Sequence, residues 1–435
     1  MSIIRNGALS ADLDAPVTSP TLNLDFANSQ SLDSRITFIR GGIGTRVNKN
    51  GLIETLSANQ PRFDYDPISG ECKGLLIEES RTNMLTYSIP SSGTWSSINT
   101  DITSNSIISP DGTQNASLVK GSTTALSTKY INLNSSITSG QTYTQTFFVK
   151  AGTTNYVQIA PSTGFSSNYA NFELIGNGRI GNSTVSSAFI QAFPNGWYRI
   201  GVTETATSTV SGRMLLSTAS SLTSTRLPSI IPYSFYVWGA QLELGVPPST
   251  FPASYASSYI PTSGSTVTRN PDLVTIEGTK FSSWYNQTEG TFIYNGTLPF
   301  VTNDPTGRVM YGVSNGFNFS NSIYAVKIAS SLEMTFIVIG NNVNQSPLGG
   351  SLPNMTSSKI KIASSVSPNN IYSCGDGKAV VKTSRPSAFI PTVTKLTLGR
   401  EPWNSSPQNT IIGCISKFTY YPKALSPAEL QYLTS

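Results

Sequence analysis

PRFDYDPISGECKGLLIEESRTNMLT, residues 61–86, decides how the chain is read. Phe63 and Tyr65 on one side, and Leu75, Leu76 and Ile77 on the other, flank Asp66-Pro67 and Ser69-Gly70. Turn residues between extended apolar runs predict a strand pair. Two acids and a base, Glu78, Glu79 and Arg81, follow at once. Such a group serves either as a general acid/base site or as a salt-bridged strand end. With no histidine in the chain and no partner motif beside the group, the second reading is adopted: the three residues form a structural junction.

Upstream, Asn48-Lys49-Asn50-Gly51 lies between Thr45-Arg46-Val47 and Leu52-Ile53-Glu54. Asn-Gly accepts the positive φ angles of a tight hairpin, so two strands are expected here. Leu22 to Phe26 alternates with a period of two and predicts a half-buried strand, and Ile36 to Ile39 predicts another. Gly41, Gly42 and Gly44 mark a turn; the Lys-Ser/Thr of a phosphate loop does not follow them. The expectation is a small β-meander over residues 21–87, preceded by an extended arm, residues 1–20, with Pro16 and Pro20 and few large apolar residues.

Downstream, short strands separated by Ser, Thr, Gly and Asn recur about every ten residues, among them Tyr143–Val149, Tyr156–Ile159 and Phe235–Trp238. That spacing predicts a sandwich or jelly roll over residues 88–262. Residues 263–272, rich in Ser, Thr and Pro, read as a linker, and a second strand series over 273–435 predicts a second sandwich. Ser426, Pro427 and Glu429 are N-cap, first helical residue and capping-box partner of a short closing helix.

Composition agrees with an all-β fold: of 435 residues 12% are charged and 10% aromatic, with 35 Gly and 26 Pro. A net charge of +5 without a Lys/Arg run argues against nucleic acid as a partner. The absence of histidine excludes Ser-His-Asp and Cys-His catalysis and His-ligated metals. Carboxylate-only glycosidase chemistry passes that test, but 23 acids scattered along the chain single out no pair. Cys72, Cys374 and Cys414 are too few for a disulfide framework and read as free thiols. Met1 to Ser10 lacks the pattern of a signal peptide, and no apolar run reaches the ~20 residues of a membrane helix, so synthesis in a cytoplasm without membrane insertion is expected.

The run LDFANSQSLDSRITFIR through PRFDYDP to GLLIEESRTNML resembles a segment of phage virion proteins. SPDGTQNASLVKG, YTQTFFVKAGTTNYVQI, FPNGWYRIGVTETAT, FYVWGAQLELG and SSYIPTSGSTVTRNPD resemble the carbohydrate-binding-module-like jelly rolls that follow that segment. The end, with GCISKFTYYPKAL and SPAELQ, resembles concanavalin-A-like or laminin-G-like domains. The resemblance implies a non-enzymatic bacteriophage structural protein: a tail fibre or surface appendage subunit, located on the virion, that displays binding domains for host-surface polysaccharide. It also implies attachment to other virion proteins through the arm, and a homo-oligomer, with a trimer favoured by analogy with fibres. The alternatives are a capsid decoration or connector protein, and a carboxylate-dependent depolymerase.

Sugar rings stack their C–H faces on aromatic side chains. Tyr156, Phe165 and Tyr169, set in polar, loop-rich sequence, and Trp403, in the turn EPWNSS, are the glycan-binding candidates. Trp197 and Trp238 lie inside regular strand patterns and are assigned to the core. No cofactor is called for. With Asp304 and Asp376 the sole aspartates after Asp272, a carboxylate-rich calcium site is not expected.

Overall fold

The structure is a computed structural model and describes residues 15–122, 128–228, 233–245, 256–297, 307–316, 320–328, 333–346, 352, 359–385, 389–402 and 410–435. It is an all-β fold of two sandwiches whose named strands all pair antiparallel, closed by a helix at Pro427–Thr434. Seven short strands open the described chain: β1 (Leu22–Asp25), β2 (Thr37–Ile39), β3 (Gly44–Val47), β4 (Ile53–Leu56), β5 (Phe63–Tyr65), β6 (Cys72–Ile77) and β7 (Arg81–Asn83).

These strands occur where the alternation places them, but they do not form a unit of their own. β1 pairs along Gly413–Tyr421, with Leu22 opposite Tyr420, and β6 pairs with the same strand, with Leu76 opposite Cys414. β2 forms the edge of the facing sheet, with Phe38 opposite Val274. Within the set, β3 and β4 pair around the Asn-Gly turn, and β5 pairs with β6, Phe63 opposite Leu75, as the turn residues between them predict. Residues 22–77 and 273–435 therefore build one sandwich, an eight-stranded sheet against a seven-stranded one. The boundaries expected at residues 87 and 263–272 give way accordingly: the N-terminal strands bury their apolar faces in the same core as the C-terminal ones, with Leu22, Phe26, Leu75 and Ile77 beside Phe292, Tyr311 and Phe418.

The other sandwich is inserted into this one. Two six-stranded sheets enclose a core of Phe147, Val157, Ile159, Phe172, Ile200 and Leu216. Its central strand, Thr142–Ala151, is buried on both faces over most of its length. Odd residues such as Tyr143 and Phe147 point into the inserted core, while Phe148 belongs to the apolar cluster shared with the first sandwich. Trp197 and Trp238, each 2% exposed, are core residues as expected.

The chain leaves the first sandwich along β7 and returns along Val267–Arg269, and these two segments pair, Asn83 opposite Val267 and Arg81 opposite Arg269. Within residues 263–272, read as a linker, Val267–Arg269 form one side of this short ladder, and Arg269 and Asp272 are fully buried. In the closing helix the Ser426 hydroxyl accepts from the Glu429 N–H while the Glu429 carboxylate accepts from the Ser426 N–H at 2.6 Å, the reciprocal cap its sequence predicts.

Candidate functional site

The charged residues of the opening stretch meet the end of the inserted sandwich in a buried network. β6 carries Glu78 out of the core at its end, and Arg62 precedes β5 on the adjoining strand. The Arg62 guanidinium donates to Glu78 Oε2 at 2.6 Å and to Asp272 Oδ2. Arg269 reaches Glu78 Oε2 at 2.9 Å, and Arg40 reaches Asp272 Oδ1 at 3.4 Å. Ser258 completes the shell, its N–H donating to Glu78 Oε1 at 2.8 Å and its hydroxyl to Oε2 at 2.7 Å. The five ionised side chains are at most 1% exposed. Burial alone would raise the Glu78 carboxyl, but the Arg269 and Arg62 guanidiniums outweigh it and hold that group well below the usual carboxylate range.

The neighbouring acid faces the other way. Glu79 pairs with Arg81 and, at 2.6 Å, with Arg308, while its carbonyl accepts from Arg269 at 2.6 Å. Arg81 donates to the Leu244 carbonyl at 2.6 Å, at the end of a strand of the inserted sandwich. Asn83 spans both sandwich ends, donating to the Ala240 and Ile260 carbonyls at 3.1 and 2.9 Å and accepting from the Leu242 N–H at 3.1 Å. Glu78, Glu79 and Arg81 thus lie where outgoing and returning strands cross. Sequence reasoning missed Arg40, Arg62, Arg269 and Asp272; in a chain with 12% charged residues, an Arg set among apolar strand residues was the available signal.

The aromatic candidates do not converge. Tyr156 is half-buried on a strand and donates to Glu173 at 3.1 Å, beside an Arg179–Glu173 pair at 2.5 Å. The hydrogen bond from Arg179 pulls the Glu173 carboxyl down against burial. Tyr169 is also half-buried. Phe165, 8% exposed, packs edge-on against Tyr143 at 6.0 Å in the inserted core, so it has no free face for a sugar: the loop is polar, but this side chain plugs the sandwich. Trp403 lies outside the described residues. Phe165→Ala is expected to lower stability by about 3 kcal/mol, as large-to-small core changes do, whereas Tyr156→Ala changes it by less than about 1 kcal/mol. Urea unfolding of the two variants checks the assignment.

A groove of about 560 Å³ crosses the first sandwich between the Asp66–Lys73 turn, Asn295–Thr297, Lys359–Lys361 and the chain terminus. Lys73, Lys359 and Lys361 stand in it with Glu71 and Asp376, and the Asn295 Oδ1 is buried without a partner. The groove offers donors and acceptors of both kinds at a size suited to a small ligand or one segment of a polymer.

No protein-family model matches the chain, and no curated protein is significantly similar to it. Among solved structures, 36% of the chain is similar to the CBM40 of the Ruminococcus gnavus IT-sialidase, at 13% identity over 88% of that chain with a TM-score of 0.30. A further match is the NanB sialidase of Streptococcus pneumoniae, at 15% identity over 37% of this chain and 26% of that one, TM-score 0.30. The binding domain of botulinum neurotoxin DC is similar over 38% of this chain and 40% of that one, at 13% identity and a TM-score of 0.28.

Proposed function

We propose that the protein is a non-enzymatic subunit of a phage particle, a tail fibre or surface appendage, that holds binding faces against host-surface glycans. The observation that carries this reading is the buried clamp in the phage-like segment: Arg81 holds the Leu244 carbonyl of the inserted sandwich and Glu78 holds Ser258 of the returning chain, while Arg62 pairs with Glu78 and Glu79 with Arg308 in the first sandwich. A clamp of this kind suits presentation of loops and grooves on a rigid frame. The buried carboxylates Asp64, Glu78, Glu173, Glu204, Glu243 and Asp272 each accept hydrogen bonds from protein donors, which ties them to the frame. Attachment runs through the N-terminal arm, and self-association into a trimer suits a fibre.

The purified protein is expected to bind polysaccharide from the host surface and to release no reducing ends from it, and antibody labelling is expected to place it on intact particles. Deleting residues 1–20 is expected to abolish incorporation while leaving the soluble fold intact. Incorporation of the truncated protein at the normal level removes the role of the arm; reducing ends released from the polysaccharide would replace the binding reading with a depolymerase.

A further inference from the structure

The edge of a sheet is a row of unpaired N–H and C=O groups, ready to take another strand unless it is short, charged or bulged. Most described edges of this chain are blunted in one of these ways. β2, β5, Ser96–Ile98, Val343–Asn344 and Val381–Ser384 have four residues or fewer. The longer Thr100–Ile107 and Arg179–Ser183 hold a charged residue, Asp101 and Arg179, and each breaks register with its neighbour. Ser187–Phe193 is different. It ends a six-stranded sheet of the inserted sandwich and, among the described residues, pairs on one side alone, with Trp197–Thr205, through seven consecutive positions without a bulge. Its sequence, SAFIQAF, has no charged residue and no proline.

On one face of this strand Ala188, Ile190 and Ala192 are half-buried and pack on the inserted core. On the other, Phe189 lies over Gly201, where a Cβ would meet its ring, and Gln191 is exposed. The facing sheet leaves the core open at this side. Ile180, opposite the buried Phe172, is 41% exposed, and Ile175, in the turn before it, is 50% exposed. That turn adjoins the strand, since a Cβ on Gly178 would meet the Ile190 side chain. An apolar opening and an unprotected edge therefore lie side by side.

We infer that Ser187–Phe193 pairs antiparallel with the same strand of a second copy of this chain. The strand is self-complementary. About a two-fold axis at Ile190, its midpoint, the pairing runs the length of the strand: Ala188 lies opposite the partner's Ala192, Phe189 opposite the partner's Gln191, and Ile190 opposite the partner's Ile190. No like charges meet, and apolar side chains face apolar ones on the core side. A second copy also brings its own apolar opening beside the first, so each covers the other. The contact is closed, because pairing consumes the edge on both copies. It is two-fold, separate from the three-fold contact of a fibre, and joins such trimers in pairs. It does not depend on what the protein binds.

The test places a cysteine on the axis. Residues directly opposite each other in an antiparallel pair have Cα atoms about 4.5–5.5 Å apart, within reach of a disulfide. Ile190→Cys in the full chain is expected to form a covalent dimer on mild oxidation with copper phenanthroline, read on a non-reducing gel. Ala188→Cys, whose counterpart lies four residues along the facing strand, about 13 Å away, is expected to stay uncross-linked, as is the parent. Gln191→Lys, at an exposed position, sets two ammoniums on diagonal neighbours about 7–8 Å apart. Its mass by sedimentation equilibrium is expected to be half that of the parent, with an unchanged near-ultraviolet circular dichroism spectrum that shows the fold intact. Equal masses for the parent and Gln191→Lys, or no more cross-linking in Ile190→Cys than in Ala188→Cys, would overturn the inference.

Discussion

Arg62→Ala is expected to lower the free energy of unfolding by about 3–5 kcal/mol, the range for breaking a buried ion pair from one side. The reason is what it leaves behind. Arg62 is fully buried and is shared between Glu78 and Asp272, so its loss strips a guanidinium from two carboxylates that have no water to turn to. The same network predicts a pH dependence. Glu78 is held below its unfolded value in the fold, so the stability it contributes is complete above about pH 4.3 and is lost as the pH falls below that towards the folded value. Glu78→Gln, which does not titrate, is expected to be less stable than the parent at pH 7 and to lose stability less steeply below about pH 4. Urea unfolding at a series of pH values checks both; parallel curves for parent and variant would mean that Glu78 is not coupled to its arginines.

Gly74→Ala is expected to cost about 3 kcal/mol or more, from a strained backbone and an overpacked contact together. Gly74 has φ +107°, a conformation L side chains rarely adopt, and a Cβ there would drive into the Ile415 carbonyl of the neighbouring strand. Gly140→Ala is the control: φ is +80°, but no atom lies within 4 Å of its Cβ, so only the backbone term of about 1 kcal/mol remains. Equal losses at the two positions would show that β6 does not approach Gly413–Tyr421 as closely as described.

Local chemistry made part of this fold legible. The Asn-Gly hairpin, the reciprocal Ser426–Glu429 cap and the burial of Trp197 and Trp238 each follow from residues close together in the chain. The pairing partners do not. Asn23 meets Thr419 across 396 positions, and the alternation in β1 tells which face is buried without telling which strand lies alongside. A polar stretch such as residues 263–272 looks like a linker from composition, yet its Arg269 and Asp272 meet Glu78, just past the end of β6. Phe165 illustrates the converse, an apolar plug hidden in polar neighbours. Of the candidate site, the charge of Glu78, Glu79 and Arg81 stood out at a strand end, but their partners Arg62, Arg269 and Arg308 did not. The groove beside Lys73 was not legible, because its walls come from stretches as far apart as Asp66–Lys73, Asn295–Thr297 and Lys359–Lys361.

The most direct measurement is the folding of residues 273–435 expressed alone, the segment that composition marks as a domain. In the structure this segment lacks β1, β2, β5 and β6, which leaves two unpaired sheet edges and exposes the apolar faces that Leu22, Phe38 and Leu75 cover. The fragment is expected to show no cooperative thermal transition and no near-ultraviolet circular dichroism, against a clear transition for the full chain. A soluble fragment that melts cooperatively would contradict it, and would return residues 21–87 to a separate meander.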